Sequence, residues 1–236
     1  MVSLFLCIFA SATPLTLHHI TAAMTSEIFG ISRHRIGTDG PGITTLVAFM
    51  GCSLHCRYCL NPQCHGLAPD ADGTGKRPAS AQRFSPEMLY RKVSIDDLYF
   101  QATRGGICFG GGEPALQAPF ISRFADLCGR KWRISLETSL HAPLTLWSPL
   151  VGVVDEWIVD VKDMNPLIYK EYTGEDSLIG PHLAWLAEHV PQERICVKVP
   201  HIPEFNSDAD VRQSIQRLEE MGFSRIQEFH YSIIKC

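Results

Sequence analysis

A chain of 236 residues that is 45% hydrophobic and 19% charged is long enough to bury one sizeable core, and its composition excludes a disordered or fibrous protein. A formal net charge of -4 with no basic run excludes the electrostatic footprint of nucleic-acid binding and leaves a protein or small molecule as partner. Nine cysteines, an odd number with three of them between residues 52 and 59, do not make the paired framework of a small secreted domain and fit a reducing cytoplasm.

In chain order, "MVSLFLCIFASATP" comes first: a short apolar run followed by Ala10-Ser11-Ala12, with the shape of a cleavage site but no Lys or Arg ahead of it. Met24 offers a second start, so residues 1-23 are expected to be a leader or an over-long gene start and residues 24-236 a single domain. The apolar run is too short to span a bilayer, and no membrane association is expected. From residue 44 the chain alternates β-rich runs with helical patterns, which predicts an α/β fold with a parallel sheet. Six strands are expected, near 44-50, 106-109, 132-137, 157-161, 196-199 and 225-229. Ser85-Pro86-Glu87 predicts a helix start, Ser94 with Asp97 a capping box, and "DADVRQSIQRLEEMGF" after Ser207 an amphipathic helix stopped by Gly222. The polar stretch 68-82 reads as an exposed excursion, and Cys108, Cys128 and Cys196 read as buried structural thiols.

Chemistry gathers where the strands end. Cys52, Cys56 and Cys59, spaced C-x3-C-x2-C, follow the first expected strand, where a loop can wrap three soft ligands round one object. A structural zinc site closes four positions, usually as two pairs. Three thiolates on a four-iron cluster instead leave one iron open for a substrate or cofactor. A four-ligand site recruiting Cys64 or His65 is the alternative. Gly110, Gly111 and Gly112 end the second strand and remove side chains that would keep a ligand off the backbone, Glu113 offers a carboxylate to an ammonium group, and Pro114 fixes the chain after it. A tight βα turn alone would also explain the glycines. Glu137 and Thr138 close the third strand, where parallel folds collect ligand-binding groups. Asp160 and Lys162 alternate on an otherwise apolar strand, so they face one side and need a ligand or each other.

"GCSLHCRYCLNP", with Tyr58 before the last cysteine, resembles the signature of the radical S-adenosylmethionine superfamily. "TDGPGITTLVAFMGC" resembles the entry strand of glycyl-radical-enzyme activating enzymes of the pyruvate formate-lyase type, with Thr44 in place of the family's arginine. "FGGGEPALQ" resembles their GGEP-x-x-Q motif, "VDVKDM" their D-x-K element, and "VKVPHIPEFN" a strand exit with Lys198 at the basic position and Glu204 for glycine. The resemblance implies a partial, open (β/α)6 barrel holding one [4Fe-4S] cluster on Cys52, Cys56 and Cys59. It implies S-adenosylmethionine bound by Tyr58, Gly110, Gly111, Gly112, Glu113, Pro114, Glu137, Thr138, Asp160, Lys162 and Lys198, with a monovalent cation beside Glu137 and Thr138. Asp160 and Lys162 would lie nearest the chemistry. Reduced flavodoxin or ferredoxin would supply an electron, and the resulting 5'-deoxyadenosyl radical would take a hydrogen from a backbone glycine of a glycyl-radical enzyme. A radical enzyme acting on a peptide or small metabolite, and a non-catalytic metal-binding protein, remain as alternatives. No ferredoxin-like cysteine insert lies between Cys59 and the glycines.

Overall fold

Residues 24-65 and 80-231 are described in the computed structural model. The expected leader, the expected excursion up to residue 79 and residues 232-236 lie outside them. The strands are β1 (Ser26–Ile36), β2 (Ile43–Phe49), β3 (Gln82–Phe84), β4 (Gly106–Gly111), β5 (Arg133–Thr138), β6 (Glu156–Asp160), β7 (Ile195–His201) and β8 (Ile226–His230). The helices are α1 (Pro86–Val93), α2 (Asp97–Thr103), α3 (Ala118–Cys128), α4 (Leu144–Trp147), α5 (Pro166–Thr173), α6 (Ile179–His189) and α7 (Asp208–Glu220).

All six expected strands form, within one or two residues of their expected bounds, as β2 and β4 to β8. They pair in parallel and in chain order, so each βα crossover lays its next strand beside the last. The sheet is open, ending in β8 on one side and, on the other, in the antiparallel β1 and β3. Sequence periodicity did not announce those two: β1 is only patchily buried and rich in polar residues, and β3 has three residues.

Period-2 alternation divides the strands between two environments. Ile107 and Phe109, Ile134 and Leu136, Trp157 and Val159, and Val197 and Val199 are buried and join the main core cluster with apolar residues of α1, α3 and α6. The residues between them are, apart from buried Ile158, small or polar: Cys108 and Gly110, Ser135 and Glu137, Asp160, Cys196 and Lys198. At the N-terminal end of this second face lies the Asp39-Gly40-Pro41-Gly42 turn. Gly40 adopts φ +115°, and a Cβ there would stand 2.6 Å from Ser135 Oγ. Asp39 is buried and accepts two hydrogen bonds from the Arg35 guanidinium. The turn thus plugs the floor of the sheet's polar face.

Local signals fare unevenly. Ser85 caps α1, accepting from Met88 N–H at 3.2 Å with Pro86 in the first turn, and Ser207 with Asp210 forms a capping box on α7. The expected Ser94–Asp97 box does not form. Ser94 donates back to Tyr90 O at 2.7 Å, a 3-10 turn (Ser94–Asp96) intervenes, and Asp97 accepts from Trp132 Nε1 at 2.6 Å. Asp96 occupies the cap position of α2, but its carboxylate turns to β1.

That carboxylate is fully buried and receives Arg33, His34 at 3.0 Å and Thr45 Oγ1 at 3.4 Å, which clips β1 to the helical layer. Its hydrogen bond to Arg33 holds the Asp96 carboxyl below its ordinary value. The stabilisation is therefore complete above the unfolded-state value, near pH 4, and fades as pH falls through the lower folded value. Asp96→Asn is expected to cost about 1.5 kcal/mol at pH 7, at the lower end for a charged hydrogen bond because Arg33 is half exposed. In urea titrations the deficit should shrink as pH is lowered below 4; an equal deficit at both pH values would remove Asp96 from the acid limb.

Candidate active site

The loop after β2 carries the three cysteines and is held from several sides. His55 N–H donates to Thr173 O at 2.9 Å and Arg57 N–H to Tyr172 O at 3.0 Å, using carbonyls at the C-terminal end of α5. Ser53 Oγ donates to His141 O beyond β5. Asn61 Nδ2 donates to Gly111 O at 3.1 Å, and buried Leu54 anchors the loop in the core. The sulfurs of Cys52, Cys56 and Cys59 consequently line one open cleft of about 150 Å³ at the C-terminal ends of β4, β5 and β6. Burial pushes the Cys56 thiol up to about 12, although Lys162 pulls the other way. Hydrogen bonding to the Cys64 thiol draws Cys59 down to about 5 and lowers Cys52 as well.

The glycine turn forms the next wall. Gly111 has φ +93°, and a Cβ there would lie 2.7 Å from Ala48 Cα, so this strand exit requires glycine. Gly112 N–H reaches Phe49 O at 3.0 Å and Glu113 N–H reaches Gly51 O at 2.8 Å, locking the exit of β4 across that of β2. The Glu113 carboxylate, although it borders the cleft, is 1% exposed. One oxygen accepts from Ala115 N–H at 3.0 Å and from the Thr138 hydroxyl; the other accepts from Ser139 N–H at 2.9 Å and from Ser139 Oγ. Protein donors therefore fill the acceptor positions that the sequence had offered to an ammonium group.

The remaining wall is made by Glu137, Asp160 and Lys162, with Lys198 behind Glu137. Lys198 Nζ lies 2.7 Å from Glu137 Oε1, and Lys162 Nζ bonds Asp160 Oδ2. Lys162 is not on the strand as expected: β6 ends at Asp160, and Lys162 follows at φ +64°, a left-handed conformation that returns its side chain to Asp160. Burial works against both ammonium groups, yet the carboxylates beside them, with Tyr231 and Cys56 near Lys162, carry both above their ordinary value. Asp160 Oδ1, by contrast, is buried without a hydrogen-bond partner. An orphaned carboxylate oxygen at a cleft points to a donor on a bound molecule.

Of the expected residues, Cys52, Cys56, Cys59, Gly111, Gly112, Glu113, Glu137, Thr138, Asp160 and Lys162 meet at the cleft. The others lie off it. Gly110 sits below, beneath Leu46 and Glu137; Pro114 is buried at the start of a 3-10 turn; Lys198 acts through Glu137; and Tyr58 turns outward, its hydroxyl donating to Glu204 Oε2 at 2.8 Å. Tyr231, Ser139, Asn61, Leu60 and Leu54 complete the lining. Asn61-Pro62 is a turn signal that could have marked the first bend after the cysteines, and nothing local marks Tyr231. The three thiols, the orphaned oxygen and the side-chain-free glycine turn are a donor set that fits an iron-sulfur cluster with an organic ligand beside it.

Comparison with known proteins supports the same chemistry. A family model described as a 4Fe-4S single cluster domain matches residues 38–138. Pyruvate formate-lyase 2-activating enzyme of Escherichia coli (strain K12) is 33% identical over 161 residues, 59% of this chain and 54% of that protein. The match thus spans about half of that relative's length. The (2S)-3-sulfopropanediol dehydratase activating enzyme of Klebsiella oxytoca is 25% identical, with 88% of this chain and 84% of the relative aligned. In fold the chain is similar to Streptococcus suis SuiB, with a TM-score of 0.56 and 12% identity over 79% of this chain and 39% of that one. Among the described residues no helix is long and apolar enough to cross a membrane.

The saturated Glu113 carboxylate leads to a stability prediction for the cofactor-free protein. Glu113→Gln places an NH₂ where a backbone N–H or a hydroxyl now donates, which should cost about 1–3 kcal/mol in chemical denaturation. Ser139→Ala should cost about 1 kcal/mol, and the double variant less than the sum. Unchanged midpoints would mean that the carboxylate is free for a ligand after all.

Proposed function

We infer that this chain is a radical S-adenosylmethionine enzyme of the glycyl-radical-enzyme activating type. The observation that carries the inference is the three-thiol loop facing a cleft whose other walls are the glycine turn and the unpartnered oxygen of Asp160. Cys52, Cys56 and Cys59 would hold a [4Fe-4S] cluster. When bound there with S-adenosylmethionine on its open iron, that cluster supplies reductive cleavage of the C5'–S bond to methionine and a 5'-deoxyadenosyl radical.

The chain's own residues divide the remaining tasks. The Gly111–Gly112 backbone presents a wall without side chains, along which a methionyl group can lie. Asp160 Oδ1 accepts a hydrogen bond from the bound molecule, while Oδ2 keeps Lys162 in place. The Lys162 ammonium, near Cys56, offsets negative charge at that thiolate. Leu54, Leu60 and Tyr231 bring apolar surface to the cleft and limit water there. Glu137 and Thr138, which the resemblance associates with a monovalent cation, are engaged by Lys198 and Glu113 respectively.

The substrate is a backbone glycine of a partner glycyl-radical enzyme, and the electron comes from reduced flavodoxin or ferredoxin. The activating-enzyme names of the two relatives support the first, and the alignment over 88% of this chain extends that support beyond the cysteine loop.

The test is anaerobic. Protein reconstituted with iron and sulfide, reduced with dithionite and given S-adenosylmethionine should release 5'-deoxyadenosine, and Cys56→Ala should release none. Lys162→Met should lower the rate by about tenfold or more, a barrier increase of about 1.4 kcal/mol. Incubation with a candidate glycyl-radical enzyme should then produce a glycyl-radical signal in electron paramagnetic resonance. Release of 5'-deoxyadenosine with a short precursor peptide, and no signal on any glycyl-radical enzyme, would replace the substrate while keeping the chemistry.

A further inference from the structure

Cys64 has no part in these roles. It is fully buried on the 3-10 turn Pro62–His65, just beyond the cysteine loop. Both of its backbone groups are fixed: its N–H donates to Asn61 O at 2.9 Å, and its carbonyl accepts from Gly51 N–H at 2.8 Å. The side chain is thereby aimed at the cluster loop from the protein side, where its thiol hydrogen-bonds both Cys52 and Cys59. A second residue converges on the same point. Cys59 Sγ, Cys64 Sγ and a ring nitrogen of His65 all lie within 4.8 Å of one another. Cys52 and Cys56 lie outside this group of three; Cys52 neighbours the Cys64 thiol, whereas Cys56 has Lys162 and Asp160 as its main charged neighbours.

Three thiols and an imidazole make a soft donor set of the Cys₃His kind that closes a tetrahedral zinc site. Zinc–sulfur bonds of about 2.3 Å place tetrahedral ligand atoms roughly 3.8 Å apart, a modest contraction of the spacing among Cys59, Cys64 and His65, to which Cys52 would have to close in. We propose that Cys59, Cys64 and His65, with Cys52 drawn in as the fourth ligand, form a second metal site, for zinc, that excludes the three-cysteine cluster because it shares two of the cluster's ligands. The identity of the excluded cluster rests on the function proposed above; the zinc site itself does not. It gives the cluster-free chain a closed, four-ligand state, and it makes zinc a competitor for assembly of the three-cysteine site. Four-coordinate zinc would leave no open position for S-adenosylmethionine.

The experiment uses the full chain, purified anaerobically without iron. Wild type should bind one zinc per chain, and cobalt(II) in its place should show tetrahedral d–d bands with thiolate charge transfer. Cys64→Ser and His65→Ala should each weaken zinc roughly tenfold or more, whereas Cys56→Ala, which removes a cluster ligand outside the set, should leave zinc affinity unchanged. Zinc added before iron and sulfide should suppress the iron-sulfur absorbance of wild type but not of Cys64→Ser. Circular dichroism establishes that each variant is folded, and Cys64→Ala offers a second substitution if the serine variant is not. Zinc affinity indifferent to Cys64, or lost equally in Cys56→Ala, would overturn the site. Neither result depends on 5'-deoxyadenosine formation, so the zinc site and the proposed enzyme activity can fail separately.

Discussion

One buried carboxylate holds the working end of this sheet together. Glu113 leaves β4 on a turn that its own N–H fastens to Gly51, and its two oxygens gather donors from Ala115, Thr138 and Ser139. Three strand exits, those of β2, β4 and β5, are thereby fixed relative to one another by a single residue, through its backbone N–H and its carboxylate. A buried carboxylate is costly unless its lone pairs are satisfied, and here protein donors satisfy them before any ligand arrives. The cysteine loop and the glycine turn thus share a frame set in advance, and pre-set geometry is what a cofactor site needs if binding is not to be spent on ordering its own walls.

Beneath that frame the sheet's polar face is neutralised in layers. Glu156 at the floor meets Arg225 at 2.6 Å, Glu137 meets Lys198 midway, and Asp160 meets Lys162 at the rim. Each carboxylate has a cation within reach, so the face tolerates charges that would be prohibitive singly. The layers differ in what remains. Only at the rim does a described carboxylate on this face keep a buried oxygen without a partner, Asp160 Oδ1, and that oxygen borders the cleft. The charge pattern itself therefore marks which end of the sheet is left to be completed by a bound molecule.

The parallel strands were legible as short β-rich runs separated by helical patterns, although β4 and β6 are buried almost throughout and lack a clean alternation. β1 was not, since its burial pattern lacks that regularity and its partners, Asp96 and Arg83 among them, lie tens of residues away. At the site, spacing revealed the three cysteines, and strand-end polarity revealed Glu137, Thr138 and Asp160. Lys162 was found for an incomplete reason: strand alternation predicted its side, whereas a left-handed residue past the strand end delivers it. Tyr231 could not be placed from sequence, because a contact across the fold brings it to Lys162, whereas Cys64, close behind Cys59 in the chain, was already offered as a fourth ligand.

The two departures from the family pattern behave as local exchanges. Thr44 stands where the resembling enzymes have arginine, but its register partner on β1 is Arg35, whose guanidinium is directed to Asp39 of the floor turn. Thr44 Oγ1 in turn donates to Arg35 O at 3.4 Å. A guanidinium is thus supplied to this corner from the adjoining strand. Glu204 stands where those enzymes have glycine and adopts φ +71°, a conformation that costs a non-glycine residue about 1 kcal/mol or more. Its carboxylate accepts the Tyr58 hydroxyl in an exposed hydrogen bond. The same bond holds Tyr58 against Phe205, at a ring separation of 5.7 Å, and away from the cleft. The backbone there adopts a conformation that glycine favours, while the side chain ties the cysteine loop to the β7–α7 connection across 146 residues of sequence.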